Sequence, residues 1–193
     1  MELKLFLQIL GVVLGLCYLY LEYKANIWLW VVGLIMPIVH GTLYFKSGLY
    51  ADFSMQLYYI LAGIYGLWVW SRGRSSISTA KPLKISHTPL DVWLKLLVFY
   101  VAIHSTLYVL LTTFTDSTVP GLDSFTTALC IIAYWMLSRK FVEQWLVWLV
   151  IDAVTVGLYI YKGIPLTAGL YALYTLLAVV GYMRWRKMML NEA

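Results

Sequence analysis

Trp145, Trp148, Asp152, Thr155 and Tyr159 recur at steps of three and four residues, which places them on one face of a helix. They lie in the apolar run 141–161, about the length of one bilayer crossing, with Asp152 near its middle. An ionised carboxylate at that depth costs about 2.5 kcal/mol or more, so it must face a partner, water or a ligand rather than lipid. Two indoles and an acid together can hold a flat cation, the rings by stacking and cation–π attraction, the acid by charge. This face reads as the wall of a solute site.

Other residues at membrane depth extend the candidate site. Gln56 and Tyr59, with Asp52 a turn earlier, share a polar face of the run 50–71. Gln56 needs a hydrogen-bond partner at that depth, whereas Asp52 also suits a first helical turn, where the dipole favours an acid. His40 follows Pro37 in the run 27–45, and Tyr171 and Tyr174 share a face of the last run. Blander readings stand beside these: His40 as a packing histidine, Trp145 as an interfacial tryptophan. Cys17 and Cys130, both inside apolar runs, read as small core residues. No GxSxG or HExxH pattern occurs, so no catalytic residue, metal or cofactor is expected. An intramembrane enzyme built on His40, His104, Asp52 and Asp152 is the distant alternative.

Composition sets the elements that position these residues. The chain has 193 residues, 62% of them hydrophobic and 12% charged, with a mean hydropathy of +0.80. That much apolar surface points to an all-α membrane protein. Seven apolar runs fill the chain: 5–23, 27–45, 50–71, 92–114, 122–137, 141–161 and 166–183. The first lacks a small-residue cleavage site and is read as a span rather than a signal peptide. No length is left for a soluble catalytic domain. The expected organisation is a first three-helix repeat over 1–71, a basic linker over 72–90, a connecting fourth helix and loop over 91–121, and a second three-helix repeat with a tail over 122–193.

Seven spans put the chain ends on opposite sides. One side then collects eleven basic residues, among them Arg72, Arg74, Lys81, Lys84, Arg139, Lys140 and Arg184, and the other only Lys4, Lys46 and Lys162. This bias predicts an outside amino end and a cytoplasmic carboxyl end in a bacterial inner membrane. The net charge of +5 therefore reports topology and contact with lipid headgroups, not nucleic acid.

Two stretches of the chain look alike. Phe45-Lys46-Ser47-Gly48 is similar to Tyr161-Lys162-Gly163, and Leu57-Tyr58-Tyr59-Ile60-Leu61-Ala62 to Leu173-Tyr174-Thr175-Leu176-Leu177-Ala178. Trp28 and Trp30 roughly mirror Trp145 and Trp148, with an offset of about 116 residues. Spans one to three thereby match spans five to seven in the same orientation. The expectation is a parallel repeat, a 3+1+3 arrangement like that of the SWEET carriers. Asp152 has no acidic counterpart, since Met36 and Pro37 fall in the equivalent region.

Longer motifs carry a family resemblance. Leu49-Tyr50-Ala51-Asp52-Phe53-Ser54-Met55-Gln56, then Ile64-Tyr65-Gly66 and Trp70, resemble the third span of the PnuC-type vitamin transporters. Ser138-Arg139-Lys140-Phe141-Val142-Glu143-Gln144-Trp145-Leu146-Val147-Trp148 resembles their W-x-x-W signature. In that family an asparagine or aspartate follows four residues on, and here it is Asp152. The resemblance implies uptake of a phosphate-free vitamin by facilitated diffusion, trapping of the solute by a cytosolic vitamin kinase, and assembly as a homotrimer. It also implies that Trp145, Trp148, Asp152 and Gln56 touch the solute.

Asp52 and Asp152 suit a cationic vitamin. Nicotinamide riboside carriers tend to have asparagine where this chain has Asp152, so the expectation goes first to thiamine and the PnuT-type branch. Nicotinamide riboside, also a cation, is the alternative, and an uncharged flavin comes third.

Overall fold

The computed structural model describes residues 2–46, 50–72, 83–161, 163 and 165–192. Among them are seven α-helices: α1 (Glu2–Tyr23), α2 (Trp28–Lys46), α3 (Tyr50–Ser71), α4 (Leu90–Phe114), α5 (Pro120–Ser138), α6 (Gln144–Tyr161) and α7 (Pro165–Glu192). The apolar runs end where the helices end, to within a few residues. The exception is α7, which continues to Glu192 through Arg184, Arg186 and Lys187, residues expected to form a tail. Helices α4, α5 and α6 are long and apolar enough to cross a membrane. In hydrocarbon every backbone group must be bonded within the segment, which is why such runs become helices.

The chain forms two compact units, Met1–Leu83 and Lys84–Ala193. In the first, α2 packs on both α1 and α3. Trp30 is fully buried where α2 meets α3. A Cβ on Gly66 would stand 2.4 Å from its indole, so only glycine lets the two backbones come this close. Trp70 of α3 closes on Trp30 edge-to-face, with ring centroids 5.6 Å apart at 85°. Pro37 is accommodated inside a continuous α2 rather than breaking it.

In the second unit α5 packs on α4 and α6, and α6 packs on α7. Leu96, Ile132, Ala133, Met136, Val147 and Ile151 form a buried cluster between α4, α5 and α6. The other side of α4 stays exposed at Leu94, Val98 and Phe99. In lipid such a surface costs nothing, because tails are as apolar as leucine.

The α1–α2 and α5–α6 turns match bond for bond. Ala25 (φ 48°) and Lys140 (φ 56°) take the left-handed conformation that ends a helix. Ala25 N–H donates to Glu22 O and Asn26 N–H to Leu21 O; Lys140 N–H donates to Leu137 O and Phe141 N–H to Met136 O. The turns differ in what holds the next helix. Asn26 Oδ1 accepts from the Trp28 N–H at 3.0 Å. At the second turn the end of the basic linker does this work. Ser86 pairs in parallel with Phe141, its N–H donating to Lys140 O and its carbonyl accepting from Val142 N–H. Ile85 and Thr88 are buried, so this end of the linker is packed structure rather than a solvated loop.

Candidate functional site

Asp152 is 7% exposed. Among the described residues no hydrogen bond or ion pair reaches its carboxylate. Burying an acid without a partner is costly, and proteins keep such groups mainly where something else completes them. Among the described residues the side chains within electrostatic reach are the thiol of Cys130 on α5 and the phenols of Tyr171 and Tyr174 on α7. None of them is a cation.

The phenols form a wall. Tyr159 of α6 stacks on Tyr171 with centroids 5.4 Å apart at 18°. Tyr174 meets Tyr171 edge-on at 5.8 Å and 77°. Thr155, one turn below Asp152, spends its hydroxyl on the Ile151 carbonyl at 2.7 Å, which leaves the acid uncontested. An unneutralised carboxylate beside stacked π faces attracts a planar cation twice over. Among the described residues no three His, Cys, Asp or Glu side chains come together as metal ligands.

Residues 5–187 match the family described as nicotinamide mononucleotide transporter. The chain belongs to the PnuC family. It is 26% identical over 203 residues to the nicotinamide riboside transporter PnuC of Escherichia coli K12, covering 93% of this chain and 84% of that one. It is 25% identical to the PnuC of Neisseria mucosa, covering 86% and 66%. It is also 25% identical to the riboflavin/roseoflavin transporter RibM of Streptomyces davaonensis, covering 92% and 83%. A crystal structure of the vitamin B3 transporter PnuC superposes with a TM-score of 0.69 at 23% identity, over 94% of this chain and 80% of that one. This last likeness shows the fold.

This PnuC-family chain distributes its expected site residues unequally. Asp152, Tyr171 and Tyr174 come together in the second unit. Trp148 is half-buried and packs against the α4–α5–α6 cluster. Trp145 is 2% exposed, wedged into the α6–α7 interface. Gln56 and Tyr59 are half-buried in the first unit, where Tyr59 meets Tyr58 edge-on at 5.5 Å. Asp52 and His40 lie on α3 and α2, and their side chains are outside the described residues. Cys130 was expected to be core only. Its nearness to Asp152 depends on how α5 docks on α6, and nothing in its own sequence context signals that.

A polar cluster at the start of α6 also escaped the sequence. Glu143 accepts from the Thr88 N–H at 2.9 Å and the Thr88 hydroxyl at 2.8 Å, and pairs with His87 Nδ1 at 2.6 Å. Burial pushes the Glu143 carboxyl up, but the bonds from His87 and Thr88 outweigh it and hold the group below the usual carboxylate range. Its partners lie 55 and 56 residues away, so helical periodicity carries no trace of the contact.

Proposed function

We propose that the chain carries a phosphate-free, positively charged vitamin across the bacterial inner membrane by facilitated diffusion. Nicotinamide riboside is the first candidate. The observation that carries the reading is the buried carboxylate of Asp152, without a partner among the described residues, beside the Tyr159–Tyr171–Tyr174 wall. Relatives described as nicotinamide riboside transporters favour nicotinamide riboside over the thiamine expected from sequence. Thiamine stands second, because PnuC-type nicotinamide riboside carriers tend to have asparagine where this chain has Asp152.

In this reading Trp148 completes the site of the second unit, and Gln56, Tyr59, Asp52 and His40 of the first unit are candidate solute contacts carried by the sequence and the family resemblance alone. Spans one to three and five to seven form the two repeats of a SWEET-like arrangement, with the basic linker and the carboxyl end in the cytoplasm. A cytosolic kinase traps the solute, and the chain assembles as a homotrimer. Among the described residues no chain of titratable groups runs along the spans, and transport runs down the solute gradient alone.

The deciding experiment is a competition panel of nicotinamide riboside, thiamine and riboflavin against the purified protein. Nicotinamide riboside should bind most tightly. Preferred binding of thiamine would move the assignment to the second reading, and preference for uncharged riboflavin would overturn the cationic site.

A further inference from the structure

Trp145 opens the W-x-x-W signature, yet the structure gives it a twin in the other unit. A Cβ on Gly181 of α7 would stand 2.6 Å from the Trp145 indole, as one on Gly66 would stand 2.4 Å from Trp30. Trp185 closes on Trp145 edge-to-face at 6.0 Å and 83°, as Trp70 closes on Trp30 at 5.6 Å and 85°. Each partner is displaced by the same 115 positions, from Trp30 to Trp145, Gly66 to Gly181 and Trp70 to Trp185. The left-handed turn residues Ala25 and Lys140 keep that displacement as well.

We infer that the two tryptophans of the signature divide their roles: Trp145 is a positioning residue, the indole of a glycine–tryptophan clasp that each unit carries once, and the solute meets Trp148. The first unit has the clasp without the acid, since position 37, the counterpart of Asp152, is proline. A feature present with and without the acid belongs to packing. Gly181 lies close against the Trp145 ring, Trp185 meets it at 83°, and at 2% exposed the indole is enclosed by packing. Trp148 aligns with Gly33 at the same displacement, so its indole, like Asp152, occurs in one unit only. The clasp sets how closely α7 approaches α6, and through that approach it sets the distance from Tyr171 to Asp152.

The test is a pair of double-mutant cycles. Gly181→Ala forces a methyl into the indole and should lower the melting temperature and weaken vitamin binding about tenfold. Adding Trp145→Leu opens the space, and the double variant should recover both, binding to within about threefold of the parent. Gly66→Ala with Trp30→Leu should show the same recovery of melting temperature. Recovery of melting without recovery of binding in the Trp145 pair would place that indole on the solute and overturn the inference. Simple addition of the two single effects in either cycle would also overturn it. The binding arm rests on the proposed transport reading and the melting arm does not, so failure of the clasp is distinguishable from failure of that reading.

Discussion

Tyr159 and Tyr171 stack nearly parallel, 5.4 Å between centroids and 18° between planes, and so join α6 to α7 beside Asp152. An offset stack gains about 0.5–1.5 kcal/mol beyond its burial, and it presents a broad π surface next to the acid. Replacing Tyr171 by alanine should therefore weaken binding of nicotinamide riboside about tenfold, and Tyr171→Phe should retain most of it. Calorimetry on the purified protein checks this. Equal losses in the two variants would assign the effect to the hydroxyl instead of the ring.

Asp152→Asn should weaken a cationic vitamin by one to two orders of magnitude (about 1.4–2.8 kcal/mol). The melting temperature should hold or rise, because the variant removes a buried acid that has no partner among the described residues. Binding isotherms and melting curves on the same preparation check both parts. Parent-like affinity would remove the acid from the site.

Trp148→Ala should lose stacking worth about 0.5–2 kcal/mol, a fall of about two- to thirtyfold in affinity. Titration of the variant with nicotinamide riboside reads this directly, and unchanged affinity would leave Trp148 a core residue only.

Glu143 gives a pH signature away from the membrane interior. Its folded-state acidity is held below the ordinary value of 4.5, so its contribution to stability is full above that value and disappears as pH falls through the lower folded value. Melting temperature should be flat from neutral pH down to the ordinary carboxylate range and fall below it. Glu143→Gln should shallow the acid limb and lower stability at neutral pH by about 1–3 kcal/mol, since the buried side of Thr88 loses a charged acceptor. Thermal melts across a pH series distinguish the two proteins.

Transport into proteoliposomes should proceed with a solute gradient alone. Initial rates with and without an imposed proton or sodium gradient should agree, and a strict requirement for either ion would reject facilitated diffusion.

The positions of the helices were legible because hydrocarbon imposes one rule on every span: a run long enough to cross and apolar enough to stay. The rule ends at the membrane surface, so Arg184, Arg186 and Lys187 read as a tail although α7 carries on through them and brings Trp185 back into the core. Asp152 was legible because a mid-span carboxylate is expensive wherever it faces. Cys130 was not, because a thiol is unremarkable in an apolar run until a neighbouring helix brings an acid beside it. Similar letters near an offset of 116 suggested a repeat. The Trp30–Gly66 and Trp145–Gly181 contacts, which pair different helices, share a displacement of 115. This aligned Trp30, not Trp28, with Trp145.

The fastening of Ser86 and Thr88 to the α5–α6 turn has a mechanical outcome. The peptide that leads into α4 and the peptide that leads into the helix of Asp152 share two backbone bonds and a carboxylate grip. Any tilt of α6 at that end would therefore strain the foot of α4, which ties the ends of these two helices to a common base.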